Sequence, residues 1–539
     1  MVLFTGAKVF TGTEGAPFAS AFLVEGDRFT WVGDVQTRIG GLPMIAAGHP
    51  VIDLAGATVL PGLLDIHTHP ALMAELVDAV SVLPPTVRSV AGLVEALRSA
   101  PAWAEGSDTW IRGFGFDDAA YPEGRWPNRH DLDLVSRTQP VFVQRCDGHS
   151  AVCNSVALAR AGITRDTPDP PGAAYGRDAD GVPDGRLIEP GAWAPVAACF
   201  PPVDADVRIE RIARLGHHFA GRGLVAVEDL AATFTVDPLE SFRSAAERAW
   251  IPRTGLFLLW DHISADPPSL GDEDRRGRAW IAGVKVLLDG AYSNATAWCH
   301  DAYPGTGEHG IRTATDASLR EAGSWARSNR VQLAVHAMGD AAIDAVLDAF
   351  ADEPSWLADR PAVRIEHATL LSPERIARIR DARMRFAVVS HSIFFFAEYG
   401  AYVTHLSAQQ FRDAYPIRSC AEQLRDVALS SDSPATAWAD ADHVFTSIQA
   451  AVTRRAWNGA PFGPDQAVDV AQALTMYTSR AAACAGLHDL GVIETGRDAS
   501  FVVLDRDVFS IPVEEIGSVQ IASTWASGRQ VFARSMSPE

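Results

Sequence analysis

Residues 60 to 70 read LPGLLDIHTHP, an apolar run that stops at His67 and His69. In an extended strand alternate side chains share a face, so Asp65, His67 and His69 point one way while Leu64, Ile66 and Thr68 point the other. Two imidazoles on one face can hold a metal ion, or they can be ordinary strand-end histidines. The pair alone does not choose between these readings.

Further residues of the same chemical kind sit late in other apolar runs: Lys285 in AGVKVLLDG, His336 in VQLAVHA, His367 in VRIEHA and Asp432 in VALSSDSP. Each has an ordinary reading. The histidines can be hydrogen-bonded strand ends, Asp432 can cap a helix, and Lys285 can pair with Asp289 or a distant acid. All of those readings must hold together to dismiss the set. Lys285 is unusual for this chain, which has only one other lysine, Lys8, and draws 44 of its 46 basic residues from arginine. An unpaired ammonium on an apolar strand costs several kcal/mol of desolvation, which depresses its pKa and makes the amine a nucleophile. The neutral amine can add carbon dioxide to give a carbamate, an anion able to bridge two metal ions.

The elements that must position these residues follow from the pattern. Short β-branched runs alternate with helical stretches near 238–249, 316–328, 340–351 and 373–382. That alternation predicts repeated β-α units, an α/β chain with a parallel sheet, and the number of units suits an eight-stranded barrel whose first strand is LLDIHTH. In such a barrel, functional groups collect at the carboxyl ends of the strands. A Gly-, Pro- and Asp-rich interval between about 80 and 215 predicts an inserted lobe. Strand-and-turn patterns at the two chain ends predict the halves of one small β-domain.

At 539 residues the chain is long enough for a large core plus an accessory unit. A formal net charge of -21 argues against nucleic acid or an anionic membrane as partner and leaves a small molecule as the expected one. The opening residues lack a basic start followed by an apolar stretch, and no window is long enough to cross a bilayer, so a soluble cytoplasmic protein is expected. Six scattered cysteines read as buried thiols rather than a disulfide scaffold.

Taken in order, VLPGLLDIHTHP, AGVKVLLDG, LAVHAMGDAAID, RIEHATLLSPE and SSDSP resemble the signatures of the amidohydrolase superfamily, in particular the YtcJ-like branch of amidohydrolase family 3. CDGHSAVCNSVALARAGI and MYTSRAAACAGLHDLGVIETGRDASFVVLD are similar to the same branch, so the resemblance spans nearly the whole chain. It implies a (β/α)8 TIM barrel over residues 61–487, carrying the lobe, and a β-sandwich built from 1–60 and 488–539. It further implies a metal-dependent hydrolase in which His67 and His69 hold a first divalent ion with Asp432, and His336 and His367 hold a second. Carboxylated Lys285 would bridge the two, zinc being the ordinary metal, and Asp432 would serve as general base. Zinc in such a setting lowers the pKa of water towards ~7, and one carboxylate can move its proton to a departing nitrogen. Homodimers are common among such barrels, although no stretch here defines an interface.

The chain departs from the branch where substrate should be held. The stretch after Lys285 reads DGAYSNATA, with Asn294 where relatives often carry arginine, and VVSHSIFFFAEYG stands where relatives often have Gln-Pro. His391, Asn294, and from the lobe His149 and Asp117, are the expected substrate contacts. SIFFFAEYGAY with Trp103, Trp110, Phe114, Phe116 and Trp126 can line an apolar pocket, although aromatic clusters of this kind more often form core. The expected activity is hydrolysis of an amide or related non-peptide C-N bond of a small apolar or aromatic substrate. Ester or lactone hydrolysis, deamination, and a non-catalytic assembly role are the rivals.

Overall fold

The computed structural model describes residues 1–13, 15–34, 49–118, 121–146, 148, 150–170, 173–232 and 237–534. The chain forms two compact units: one comprises Met1–Ala71, Ile209–Asp432 and Asp442–Glu539, the other Leu72–Arg208 with Ser433–Ala441.

The first unit contains an eight-stranded, all-parallel sheet. In chain order its strands are Leu63–Thr68, Leu224–Asp229, Arg253–Leu259, Ala279–Leu287, Gln332–Ala337, Val363–His367, Phe386–Ser390 and Val427–Leu429, and spatial order follows chain order. That sequential order is the signature of a barrel. No ladder joins the eighth strand to the first. The gap is bridged instead by the Asp432 N–H donating to His67 O at 2.8 Å and the Ser431 N–H donating to Asp65 Oδ1 at 3.1 Å. The closure therefore draws Asp432 against the first strand.

The helices between strands start where local chemistry supports them. Helix Asp316–Asn329 is capped by the Thr315 side chain, which accepts from Ser318 N–H, and helix Pro373–Asp381 by Ser372, with proline in its first turn. Helices Pro238–Arg248 and Asp340–Phe350 also fall where the pattern placed them. Alternation on the first strand is realised: Leu64 and Ile66 face outward into an apolar cluster with Ala481, Ala482 and Leu487, while Asp65 and His67 face inward.

Two further sheets of this unit come from the chain ends, a four-stranded one from the amino-terminal segment alone and a six-stranded one from both ends. In the six-stranded sheet Thr58–Pro61 lies between Lys8–Phe10 and Phe501–Leu504, so amino- and carboxyl-terminal segments share one ladder. Their core is aromatic, with Phe4, Phe22, Phe29 and Phe501 fully or nearly fully buried. Gly62 links this sheet to the first barrel strand. A Cβ there would lie 2.6 Å from a Val225 methyl group, so only glycine allows the close passage.

The second unit is built on a six-stranded sheet that includes Ile111–Phe116 and Val141–Arg145. It has its own apolar clusters. Among the described residues no helix is long and apolar enough to cross a membrane.

Candidate metal centre

The strand ends of the barrel bring four of the predicted residues into direct contact. His69 Nε2 lies 2.8 Å from Asp432 Oδ1, His67 Nε2 lies 3.4 Å from the same oxygen, and Lys285 Nζ lies 3.5 Å from His67 Nε2. All are buried except His69, which is 13% exposed and forms the edge facing solvent. Burial brings the Lys285 ammonium down from an ordinary 10.5 to about 8, against the opposing pull of Glu366 and Asp432. The amine is thus far easier to deprotonate than a surface lysine.

His336 and His367 stand beside this group, with ring centroids 4.2 Å apart. The His336 Nε2–H donates to Gly290 O at 3.0 Å, an arrangement that leaves the lone pair on Nδ1. His367 ends the sixth strand with a φ of +68°, in the left-handed region that non-glycine residues seldom adopt. This φ breaks strict alternation. Glu366 and His367 are neighbours in sequence, yet both rings of contacts lie at the centre, because His367 packs 4.8 Å from His67 and 4.7 Å from His391, centroid to centroid.

Neither nitrogen of His367, nor Nε2 of His391, has a hydrogen-bond partner, although both side chains are buried. Buried polar atoms are rarely left so. Burial is also the chief reason that His67 and His367 are held well below the usual histidine pKa, with neighbouring histidines and Lys285 adding to it. Neutral imidazoles whose nitrogens gather within a few ångströms are what a divalent cation requires. The ligand atoms of His67, His69 and Asp432 lie within 4.8 Å of one another, as do those of His67, His367 and His391. The donor set fits a divalent metal ion.

Beneath these groups lies a charged network that the sequence reading missed. His67 Nδ1 is 2.6 Å from Glu366 Oε2; Glu366 Oε1 accepts from Arg364 Nε at 2.7 Å; Arg364 also donates to Glu228 and, at 2.6 Å, to Ile66 O. All three charged residues are fully buried. The carboxylate of Glu366 holds the proton of His67 on Nδ1 and turns Nε2 towards Asp432 and Lys285, the arrangement by which an outer carboxylate orients a ligating histidine. The available signal was the charged pair at 364 and 366, alternating with apolar Val363 and Ile365 on a strand otherwise buried. Asp289, which the sequence reading offered as a partner for Lys285, instead accepts from the N–H groups of Trp298, Met338 and Gly339 at 2.8–3.1 Å, and burial raises its carboxyl to about 7.

The other expected contacts are more scattered. Asn294 is half-buried in the single turn Tyr292–Asn294, its N–H donating to Ala291 O. Asp117 belongs to the second unit, 3.9 Å from Arg145. His149 lies outside the described residues. Four of the five lobe aromatics follow the core reading. Trp110, Phe114, Phe116 and Trp126 pack into clusters of the lobe's own core, and Trp103 is 43% exposed with its indole N–H donating to Val135 O. A small unit has to bury its rings to hold together, and composition alone does not distinguish that from a ligand pocket. Phe394, from SIFFFAEYG, does lie at the centre, stacked on His391 at 4.9 Å and on His367 at 5.6 Å.

Comparison with known proteins agrees with this fold. The chain is 29% identical over 531 residues to an N-substituted formamide deformylase of Arthrobacter pascens, covering 95% of this chain and 94% of the relative. It is 27% identical to the putative amidohydrolase YtcJ of Bacillus subtilis, with 90% of each chain covered. The crystal structure of an uncharacterized metal-dependent hydrolase from Pyrococcus horikoshii OT3 superposes with a TM-score of 0.74 at 22% identity, covering 95% of this chain and 99% of that one. The model of the amidohydrolase family matches residues 50–532. The chain belongs to the amidohydrolase family and is, by that membership, a metal-dependent hydrolase.

Proposed function

We propose that the protein hydrolyses an amide or related non-peptide C-N bond of a small, apolar or aromatic substrate, with N-substituted formamides, carbamates and cyclic amides as the first classes to test. The observation that carries the reading is the convergence of His67, His69, Lys285 and Asp432 beside buried imidazole nitrogens that have no partner. In this reading His67, His69 and Asp432 would hold one divalent ion and His336 and His367 a second, with Lys285, as its carbamate, a further anionic donor; zinc suits these nitrogen and oxygen donors. A divalent cation, when bound, supplies charge that polarises a carbonyl and acidifies water near neutral pH.

The chain's own groups supply the rest. Asp432, whose Oδ1 lies 2.8 Å from His69 Nε2, takes the proton of the attacking water and returns it to the departing nitrogen, so one carboxylate serves both halves of the hydrolysis. Glu366 keeps the proton of His67 on Nδ1 throughout. Phe394, 5% exposed against His367 and His391, gives the centre an apolar wall. The match to a formamide deformylase over nearly the whole chain supports the formyl amide as first substrate class.

The test is removal and return of metal. Protein stripped by a chelator is expected to lose turnover of an N-substituted formamide and to regain it with added zinc, releasing free amine and formate in equal amounts. Full turnover by the stripped protein would overturn the reading, and release of ammonia instead of amine would move it to deamination.

Lys285 adds a pH-dependent expectation for the metal-free protein. Carbamate forms from the neutral amine, which binds carbon dioxide and gives up one proton. With a pKa of about 8, roughly half of Lys285 is neutral at pH 8 and about 1% at pH 6. At fixed dissolved carbon dioxide, activation of stripped protein by zinc is expected to be about 50-fold faster at pH 8 than at pH 6, with a carbamate carbon visible by 13C NMR. Fully active protein without that signal would show that Lys285 acts unmodified.

A further inference from the structure

We propose that His391 is a metal ligand, its Nε2 joining His67 Nε2 and a ring nitrogen of His367 in a three-imidazole set. The proposal rests on the metal-dependent reading above and reassigns its ligands: His67 and His367 share one ion with His391 and no longer belong to separate ions. His391 follows the seventh strand, Phe386–Ser390, and immediately precedes the short helix Ser392–Ala397. Its Nδ1–H donates to Ser430 O at 3.0 Å, which leaves the lone pair on Nε2. That nitrogen is buried and has no hydrogen-bond partner, and the side chain is fully inaccessible.

His67 is prepared in the same way. Its Nδ1–H is held by Glu366, leaving Nε2 as the free electron pair. The three rings form a nearly equilateral triangle, with centroids 4.8 Å apart for His67 and His367, 4.8 Å for His67 and His391, and 4.7 Å for His367 and His391. Their ligating nitrogens all fall within 4.8 Å of one another. Tetrahedral ligands at about 2.0–2.1 Å from a zinc ion stand some 3.3 Å apart, so the triangle closes around an ion with sub-ångström to ångström shifts. Phe394, stacked at 22° to the His391 ring, fixes the plane in which Nε2 points. Three imidazoles gathered this closely, two of them with nitrogens that no donor satisfies, are stabilised by a cation between them. A substrate contact requires no such triangle, since a single imidazole facing an open cleft would serve.

The test uses Co2+ in place of the native ion in the full chain. His391→Cys is expected to introduce a sulfur-to-cobalt charge-transfer band in the near ultraviolet that neither the parent protein nor His391→Ser shows, and, with zinc, scattering from sulfur at about 2.3 Å. The six existing cysteines are common to all these proteins, so the difference spectrum reports position 391 alone. His391→Gln is expected to weaken zinc binding at least 10-fold in competition with a chelator. Absence of the new band together with parental zinc affinity in His391→Gln would overturn the proposal, and a raised KM alone would then place His391 against substrate. If the cysteine variant does not fold, X-ray absorption on the zinc-loaded parent and His391→Gln decides the matter, the proposal requiring one imidazole fewer in the variant. A parent protein that takes up no cobalt would sink the metal reading itself, an outcome distinct from failure at His391.

Discussion

Asp432→Asn is expected to lower kcat on an N-substituted formamide by about 10²- to 10⁴-fold, the range lost when a positioned acid-base group is removed. Asparagine is the informative replacement for two reasons. Asp432 has a φ of +55°, which asparagine tolerates better than other non-glycine residues, and its N–H donates to His67 O in the bond that helps close the barrel. The variant therefore keeps backbone and shape while losing the carboxylate that faces His67 and His69. Because the same oxygen is also assigned to the metal, kcat is to be measured under metal saturation, with bound metal quantified alongside. A variant that is metal-replete and retains more than a tenth of parental kcat would remove Asp432 from the proton path.

Much of the centre was legible in the sequence because its residues contradict their surroundings. A histidine pair at the end of an apolar strand, a lysine in a chain that otherwise uses arginine, and an aspartate in a run ending Ser-Ser-Asp are each out of keeping with a buried strand, and the structure brings His67, His69, Lys285 and Asp432 within a few ångströms. The barrel was legible for a similar reason, since the spacing of helical and β-branched runs leaves few other arrangements, and its strands lie in chain order.

What escaped reading depends on contacts between segments far apart in the chain. Arg364, Glu366 and Glu228 looked like strand charges, and only the closed barrel shows that they meet at its centre, 136 residues apart for Arg364 and Glu228. His367 follows Glu366 directly, so alternation places them on opposite faces; a φ of +68° cancels that expectation, and no residue type announces it. His391 was named as a candidate substrate contact, and its buried Nε2 without a hydrogen-bond partner becomes visible only beside His67 and His367. The short segment Ser433–Ala441, which belongs with the inserted lobe, carries no mark of that membership in its composition.

Arg364→Met is expected to destabilise the protein by about 3–5 kcal/mol, the cost of breaking a buried ion pair from one side. Arg364 is fully inaccessible, its guanidinium lies 5.0 Å over the Phe257 ring, and it donates to Glu228, Glu366 and the carbonyl of Ile66. Burial already raises the Glu228 carboxyl despite the arginine beside it, so without Arg364 that group and Glu366 would face each other as uncompensated acids. The prediction is checked by denaturant unfolding of chelator-stripped protein, which keeps metal binding out of the comparison. Adding Glu228→Gln and Glu366→Gln to Arg364→Met is expected to recover part of the lost stability, because the buried charges then disappear together. It is not expected to recover function. With glutamine at 366, His67 Nδ1–H loses the carboxylate that orients it, and zinc affinity should fall about 10- to 100-fold. Recovery of both stability and zinc affinity in the triple variant would show that the network serves the barrel core alone; recovery of stability without zinc affinity would place Glu366 as the group that positions His67 for the ion.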